Sequence, residues 1–338
     1  MKPIYLGILF IVCSCSSEVE IFASYEENVS VIGLLDPSQP IQYIKINKIF
    51  ISQNTSASVA AKMGDSLYFD SLTPMLTEIE TGRTIQLYRV NNIAKDSGYF
   101  ASSPNYLYTT KEKIYANDPN NKSNYYHYKL DINLPGNKKH ISAITNIPDS
   151  TILNLPIGVG IGTPLNKEIE FIQTSSIRMA FQAPENSMVF DSYFIFNYLE
   201  INKNDTNRRA NKVVKIRLIK NYRATNDHSR EVVNVIIRGS LFYDNLLSNI
   251  QIDTSVKREF LMCSLELTNA NLEFDKYTVV NEPAIGIVQK QTDYSNINNG
   301  TGIFASRRIS RYNNIKIGPV TRNTLITNPS FKMLGFSN

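Results

Sequence analysis

The residues able to do chemistry in this chain are few and scattered. Its three histidines, His127, His140 and His228, stand far apart. None lies four residues from another beside a Glu, the spacing that sets two zinc ligands and a base on one helix face. Of the three cysteines, Cys13 and Cys15 fall near the N-terminus. Cys263 sits in the apolar run 260–267, where a thiol behaves as a small buried hydrophobe. Gly158, Gly160 and Gly162 imitate a phosphate-cradling loop, but the last Gly comes too early for the dinucleotide fingerprint and Thr163-Pro164 opens no helix. No Gly-x-Ser-x-Gly elbow occurs. The run from Asn202 to Asn207 offers the hard oxygens calcium prefers, without the spacing or the closing Glu of an EF-hand. A glycosidase pair stays open, because its two carboxylates meet only in space. The expectation is a non-enzymatic protein with no cofactor and no metal.

Charge singles out no partner. Lys and Arg number 35 against 30 Asp and Glu, a net charge of +5 that is too small and too dispersed for a nucleic-acid binder. Two basic groups remain: Lys212, Lys215, Arg217, Lys220 and Arg223 around one strand, and Arg307, Arg308 and Arg311 near the C-terminus. They read as solvated faces that discourage edge pairing, or as contacts for an anionic partner. Tyr106 and Tyr108, with Tyr125, Tyr126 and Tyr128, offer a sugar-stacking platform, although strand alternation sends part of each set inward.

The N-terminus reads as a leader. Lys2 is followed by an almost unbroken apolar run from Ile4 to Val12, too short for a stable membrane span. Val12-Cys13-Ser14-Cys15 resembles a bacterial lipobox, with Cys15 as the acylated residue and Cys13 as its rival. Two or more acyl chains anchor durably where one does not. The mature chain then keeps Cys263 as its one thiol, so no intramolecular disulfide forms and stability comes from packing. Ser16 stands where an inner-membrane retention signal would place Asp, which points to the outer membrane.

The elements behind these residues are strands and turns. A strand over 29–35 ends in Asp36-Pro37-Ser38-Gln39-Pro40, and 41–50 alternates Ile44 and Ile46 against Tyr43, Lys45 and Asn47, so the two form a hairpin. A short helix is expected over the Ala-rich 56–65. A strand pair follows over 76–79 and 84–90. The stretch 125–134 puts Tyr126, Tyr128, Leu130 and Ile132 on one face, and 139–147 is its return strand. Further strands are expected over 190–201, 213–220, 232–238 and 260–267, with a helix over 239–250 from Phe242, Leu246, Leu247 and Ile250. Gly300-Thr301-Gly302 reads as a turn, and the frequent Asn residues as long loops and a polar surface. The fold class is mainly β: two β-sandwich domains, immunoglobulin-like or related, with few short helices. The division runs 1–14 signal peptide, 15–27 anchor and tether, 28–150 N-terminal sandwich, 151–170 linker or edge segment, and 171–338 C-terminal β-rich domain.

The lipobox, the segment Val29-Ser30-Val31-Ile32-Gly33-Leu34-Leu35-Asp36-Pro37-Ser38-Gln39-Pro40-Ile41, the strand Tyr128-Lys129-Leu130-Asp131-Ile132 with Gly136, and Ile141-Ser142-Ala143-Ile144-Thr145-Asn146-Ile147-Pro148 together resemble an uncharacterised family of Bacteroidota outer-membrane lipoproteins, a domain of unknown function. Glu18 and Glu20 resemble the acidic surface-export tag of such lipoproteins, which favours the cell surface over the periplasm. The resemblance implies a palmitate-bearing, extracytoplasmic β protein, in a family often encoded beside TonB-dependent receptors, with no catalytic residues to carry over. The expected function is therefore a lipid-anchored binding or accessory protein. Its partners would be the membrane through acylated Cys15 and an outer-membrane receptor or a glycan, and not nucleic acid. An adhesive, fimbrial-type surface protein is the alternative, and a glycan-binding or glycan-active protein the second.

Overall fold

The computed structural model describes residues 28–49, 67–91, 93–94, 103–137, 139–155, 168–281 and 294–337. The leader with Cys13 and Cys15, the tether 15–27, the Ala-rich 56–65 and the Gly158, Gly160 and Gly162 run lie outside the described residues.

The chain is mainly β. Strands β1 (Asn28–Leu35) and β2 (Gln42–Ile49) form the expected antiparallel hairpin. The Gln42 side chain fastens its turn, accepting from Asp36 N at 2.8 Å and donating to Asp36 O at 2.9 Å. Ile44 and Ile46 point inward while Tyr43 is exposed, as period-two alternation requires. Next come β3 (Met75–Glu78), β4 (Arg83–Gln86), β5 (Tyr88–Val90), β6 (Leu107–Thr110), β7 (His127–Asn133) and β8 (His140–Asn146). The stretch 84–90, expected as one strand, is two. β4 pairs with β3 in a four-stranded sheet of order β4-β3-β7-β8, and after Leu87 the chain crosses so that β5 pairs with β6, which itself pairs with β2. Buried Leu87 is the corner between two layers. Val31, Ile44 and Ile46 from one layer meet Leu76, Leu130 and Ile132 from the other in a single core.

The second half repeats this plan at larger scale. It contains β9 (Ile152–Leu155), β10 (Glu168–Ile169), β11 (Ser176–Gln182), β12 (Val189–Asn202), β13 (Arg209–Arg223), β14 (Val232–Arg238), β15 (Val256–Phe260), β16 (Cys263–Ala270), β17 (Thr301–Ile317) and β18 (Phe336–Ser337). Among the described residues four helices join them: α1 (Ser240–Asn249), α2 (Leu272–Asn281), α3 (Pro319–Thr327) and α4 (Pro329–Lys332). A three-stranded sheet of order β14-β11-β9 faces β12, β16 and β17 across a second core that includes Phe181, Phe190, Phe194, Leu265 and Tyr312. Helix α1 closes it: Phe242 stacks on Phe171 at 4.5 Å between ring centroids and meets Phe196 edge-on at 5.4 Å.

One strand makes the two sandwiches share a layer. The start of β17 pairs in parallel with β1, Ser30 opposite Thr301 through Leu35 opposite Ser306, and its remainder pairs antiparallel with β16, from Ala270 opposite Arg307 to Cys263 opposite Ile315. The outcome is an eleven-stranded sheet running through both halves. Ile297 and Phe304, from the segment 171–338, belong to the N-terminal core, and Ile152–Leu155, in the 151–170 linker or edge segment, is a strand of the C-terminal sandwich.

Three local expectations need correction. The strand expected over 260–267 is the junction of β15 and β16, which break at Leu261 and Met262 because β12 takes both strands in succession along its length. Of Gly300-Thr301-Gly302, expected as a turn, Gly300 follows a turn at Asn299, whereas Thr301 and Gly302 open β17. Gly302, at φ +114°, is there because a Cβ would stand 2.0 Å from Val31 O in the parallel pair. The Asn residues are not all surface residues: Asn269 and Asn271 are fully buried.

Candidate functional site

The candidates of the sequence do not converge. Each His takes a separate carboxylate: His127 meets Glu80 at 2.6 Å, His140 meets Asp131 at 2.9 Å, and His228 meets Glu185. No group of three metal-ligating side chains occurs among the described residues. The oxygens of the 202–207 loop are spent locally. Asn202 Oδ1 accepts from Asn204 N at 2.9 Å and Asp205 N at 3.0 Å, and Asp205 Oδ1 accepts from Asn207 N at 3.1 Å. Cys263 is buried, and burial pushes its thiol up to about 12, so no thiolate forms at neutral pH.

The basic groups are mostly paired. Arg217 binds Asp191 at 2.7 Å, Lys215 binds Glu266 at 3.4 Å, and Arg223 binds Asp275 at 2.7 Å. On β17, Arg307 reaches Asp36 at 3.2 Å, Arg308 reaches Asp149 at 3.4 Å, and Arg311 reaches Glu266 at 2.8 Å. The tyrosine platform dissolves as well. Tyr108, Tyr126 and Tyr128 are core residues, and Tyr106 carries the Arg89 guanidinium 3.7 Å from its ring centroid. Tyr125 alone of the five lines a cavity described here.

That cavity lies where the two sandwiches join. The crossover from β8 to β9 passes through Asp149, Ser150 and Ile152, and a cleft opens on both sides of it. The larger lobe, about 420 Å³, is lined among others by Lys113, Tyr115, Asn117, Lys122, Ser150 and Arg308. The smaller, about 190 Å³, is lined by Tyr125, Gln182, Glu185 and Arg230, and both share Asp149, Ser150 and Ile152. Asp149 sits at the centre: its carboxylate accepts from Ser150 N at 2.6 Å, Asn117 Nδ2 at 3.1 Å and Arg308 Nη1 at 3.4 Å.

Each wall is held by residues below it. The segment carrying Lys113 and Tyr115 is pinned by two hydrogen bonds: Arg83 Nη2 donates to Lys113 O at 2.9 Å, and Tyr115 N donates to the Tyr128 hydroxyl at 3.0 Å. Tyr128 and Arg83 in turn donate to buried Glu78, at 2.6 and 3.0 Å, and Thr81 adds a third bond at 2.6 Å. Burial alone would raise the Glu78 carboxyl; the hydrogen bonds from Thr81, Tyr128 and Arg83 outweigh it and hold the group below the ordinary range. Asn117 bridges to Tyr125, so the two lobes share a rim. Arg230 enters the smaller lobe from a left-handed backbone, φ +46°, with Nε on Glu185 at 2.7 Å and Nη2 on the Tyr125 hydroxyl at 3.3 Å. Such a conformation costs about 1–3 kcal/mol in a residue with a Cβ.

Beneath the cleft runs a buried polar seam. Asn271 Nδ2 donates to Thr145 Oγ1 at 2.8 Å and to Asn146 Oδ1 at 3.0 Å, and its Oδ1 accepts from Ser306 N at 3.2 Å. Asn269 Nδ2 donates to Ser187 Oγ at 2.7 Å and to Asp149 O at 2.9 Å. These bonds fix the crossover to both sandwiches. A second, larger cavity of about 570 Å³ beside the β12–β13 hairpin has Val256 and Ala210 as its only apolar walls, a poor match to the mixed lining of ligand sites.

No protein-family model matches the chain, and no curated protein does. Among solved structures it is similar to the C-terminal globular domain of an oligosaccharyltransferase from Pyrococcus abyssi, with 10% identity and a TM-score of 0.22, over 86% of this chain and 50% of that chain. The chain thus spans about half the length of that protein. A superposition this loose carries no argument about activity.

Proposed function

We propose that this protein is an acyl-anchored binding or accessory module of the outer membrane, held through Cys15 with its β fold on the cell surface. In this reading it captures a ligand in the junction cleft, without covalent chemistry, and presents it to an outer-membrane receptor of the TonB-dependent kind. The observation that carries the reading is the cleft: a concave site where two sandwiches meet, with aromatic, amide and charged side chains converging on one crossover. The lipobox and the family resemblance support the compartment. The fimbrial-type alternative needs a strand edge free to accept a neighbour. Several described strands stand at sheet edges; the longest of them, β13, pairs with β12 alone and carries exposed Lys212, Lys215 and Lys220, which oppose edge addition.

Radiolabelled palmitate fed to cells expressing the chain tests the anchor. The wild type incorporates label and fractionates with the outer membrane, and Cys15→Ala does neither. Label retained in Cys15→Ala would overturn the assignment.

A further inference from the structure

The larger lobe of the junction cleft has a charge imbalance that defines what it accepts. Its lining carries Lys113, Lys122 and Arg308 against one carboxylate, Asp149. Lys113 and Lys122 are exposed, and neither makes an ion pair among the described residues. Arg308 spends only Nη1 on Asp149, at 3.4 Å, so the rest of its fork is open to a second acceptor. The Asp149 carboxylate is already satisfied by Ser150, Asn117 and Arg308, and so repels an incoming anion less than a bare one would. Around these charges stand hydroxyl-binding groups, Asn117 and Ser150, while the Tyr115 ring on the wall is covered by Lys113 Nζ at 5.1 Å and the Arg83 guanidinium at 5.7 Å from its centroid, and so holds Lys113 in place. The smaller lobe continues the same pattern with Tyr125 and Gln182.

We propose that the larger lobe is a subsite for a carboxylate-bearing sugar, a residue of an acidic oligosaccharide whose next unit extends past Asp149 into the smaller lobe. The carboxylate lies among Lys113, Lys122 and Arg308. The sugar's hydroxyls meet Asn117 and Ser150 beside those cations. A sugar is favoured over an acidic peptide because the lobe sets the hydroxyl-binding groups of Asn117 and Ser150 beside its cations, and because the short β9 edge at its rim has its Leu153 N already taken by the Tyr312 hydroxyl at 2.9 Å. The smaller lobe contains Glu185 and Arg230 already paired at 2.7 Å, so the neighbouring unit needs no charge of its own.

This inference rests on the cleft being the ligand site, and the test separates the two. Binding of the full chain is measured by calorimetry against short oligogalacturonate, a neutral cello-oligosaccharide of equal length, and poly-glutamate. Oligogalacturonate is expected to bind, weakening as salt rises, and to lose about tenfold or more in affinity in Lys113→Ala/Lys122→Ala, with thermal unfolding unchanged because both side chains are exposed. Arg308→Gln should lose affinity likewise. Stronger binding of the neutral sugar or of poly-glutamate, lost in the same variants, would overturn the acidic-sugar class while keeping the cleft. Oligogalacturonate binding that ignores all three substitutions, or no binding to any probe, would overturn the subsite itself.

Discussion

Asn271→Ala is the sharpest probe of how the two sandwiches are joined. Asn271 is fully buried, and its amide bridges β8, β17 and the first turn of α2: it donates to Thr145 and Asn146 and accepts from Ser306 N at 3.2 Å and Phe274 N at 3.3 Å. Truncation strands the buried Ser306 amide, leaves the buried Thr145 hydroxyl without its donor and removes the bond to half-buried Asn146. A buried donor or acceptor left unmade costs about 1–3 kcal/mol, and the seam shares its acceptors, so the total loss should be about 3–5 kcal/mol rather than a simple sum. Urea unfolding followed by tyrosine fluorescence reads it. The wild type should unfold in one transition, because the large sheet runs through both cores, and Asn271→Ala should lower the midpoint with the slope unchanged. The double variant with Thr145→Val should cost less than the two singles together by about 0.5–3 kcal/mol, since they share the 2.8 Å bond. A loss under about 1 kcal/mol, or two separate wild-type transitions, would show that the seam does not join the two sandwiches.

Other consequences follow from the same contacts. Glu170 reaches across the fold to cap α3, accepting from Val320 N at 3.0 Å and Thr321 N at 2.8 Å, so Glu170→Ala should cost about 1–2 kcal/mol in the same unfolding assay. Gly318→Ala places a Cβ 2.3 Å from that carboxylate and should destabilise by displacing the cap; its effect should shrink in the Glu170→Ala background, and full additivity would count against the contact. Because Glu78 is held below the ordinary carboxylate range in the folded state, its contribution is complete above the unfolded value and lost as pH falls through the folded one. Acid unfolding of Glu78→Gln should therefore flatten as pH falls below the ordinary Glu value of about 4.3, and an unchanged acid limb would contradict the network. Cys263, with its thiol pushed up to about 12 by burial, should resist alkylation in native buffer and react fully in denaturant, read by peptide mass spectrometry.

Much of the β pattern was legible where a strand has one wet face. Tyr126, Tyr128, Leu130 and Ile132 alternate in sequence and are all buried, and the Ile44 and Ile46 face of β2 is equally plain. β17 escaped because it changes surroundings along its length. Ile303, Phe304, Ala305 and Ser306 are buried in succession, covered on both faces, and Arg307, Arg308 and Arg311 follow where the strand takes a new partner. A run without period two reads as turn and coil. The three later helices left signals that went unread: Asn271 caps α2 through Phe274 N, Pro319 opens α3, and Asn328 caps α4 through Ser330 N at 3.0 Å.

The cleft was not legible at all. Its residues come from six separated stretches, and of the residues that suggested binding only Tyr125 and Arg308 are among them, each inside a cluster that the fold disperses. A site built on a long-range strand pair has no spacing signature. Asp149 has no signature as a site residue in the sequence, because its partners Asn117 and Arg308 lie far away along the chain.

Affinity purification from mildly solubilised native outer membranes tests whether the chain is an anchored accessory module. The tagged wild type should recover an outer-membrane receptor in near-equal amount, identified by mass spectrometry, and Cys15→Ala should lose it. Recovery of the chain alone, or of the same receptor with Cys15→Ala, would contradict that role.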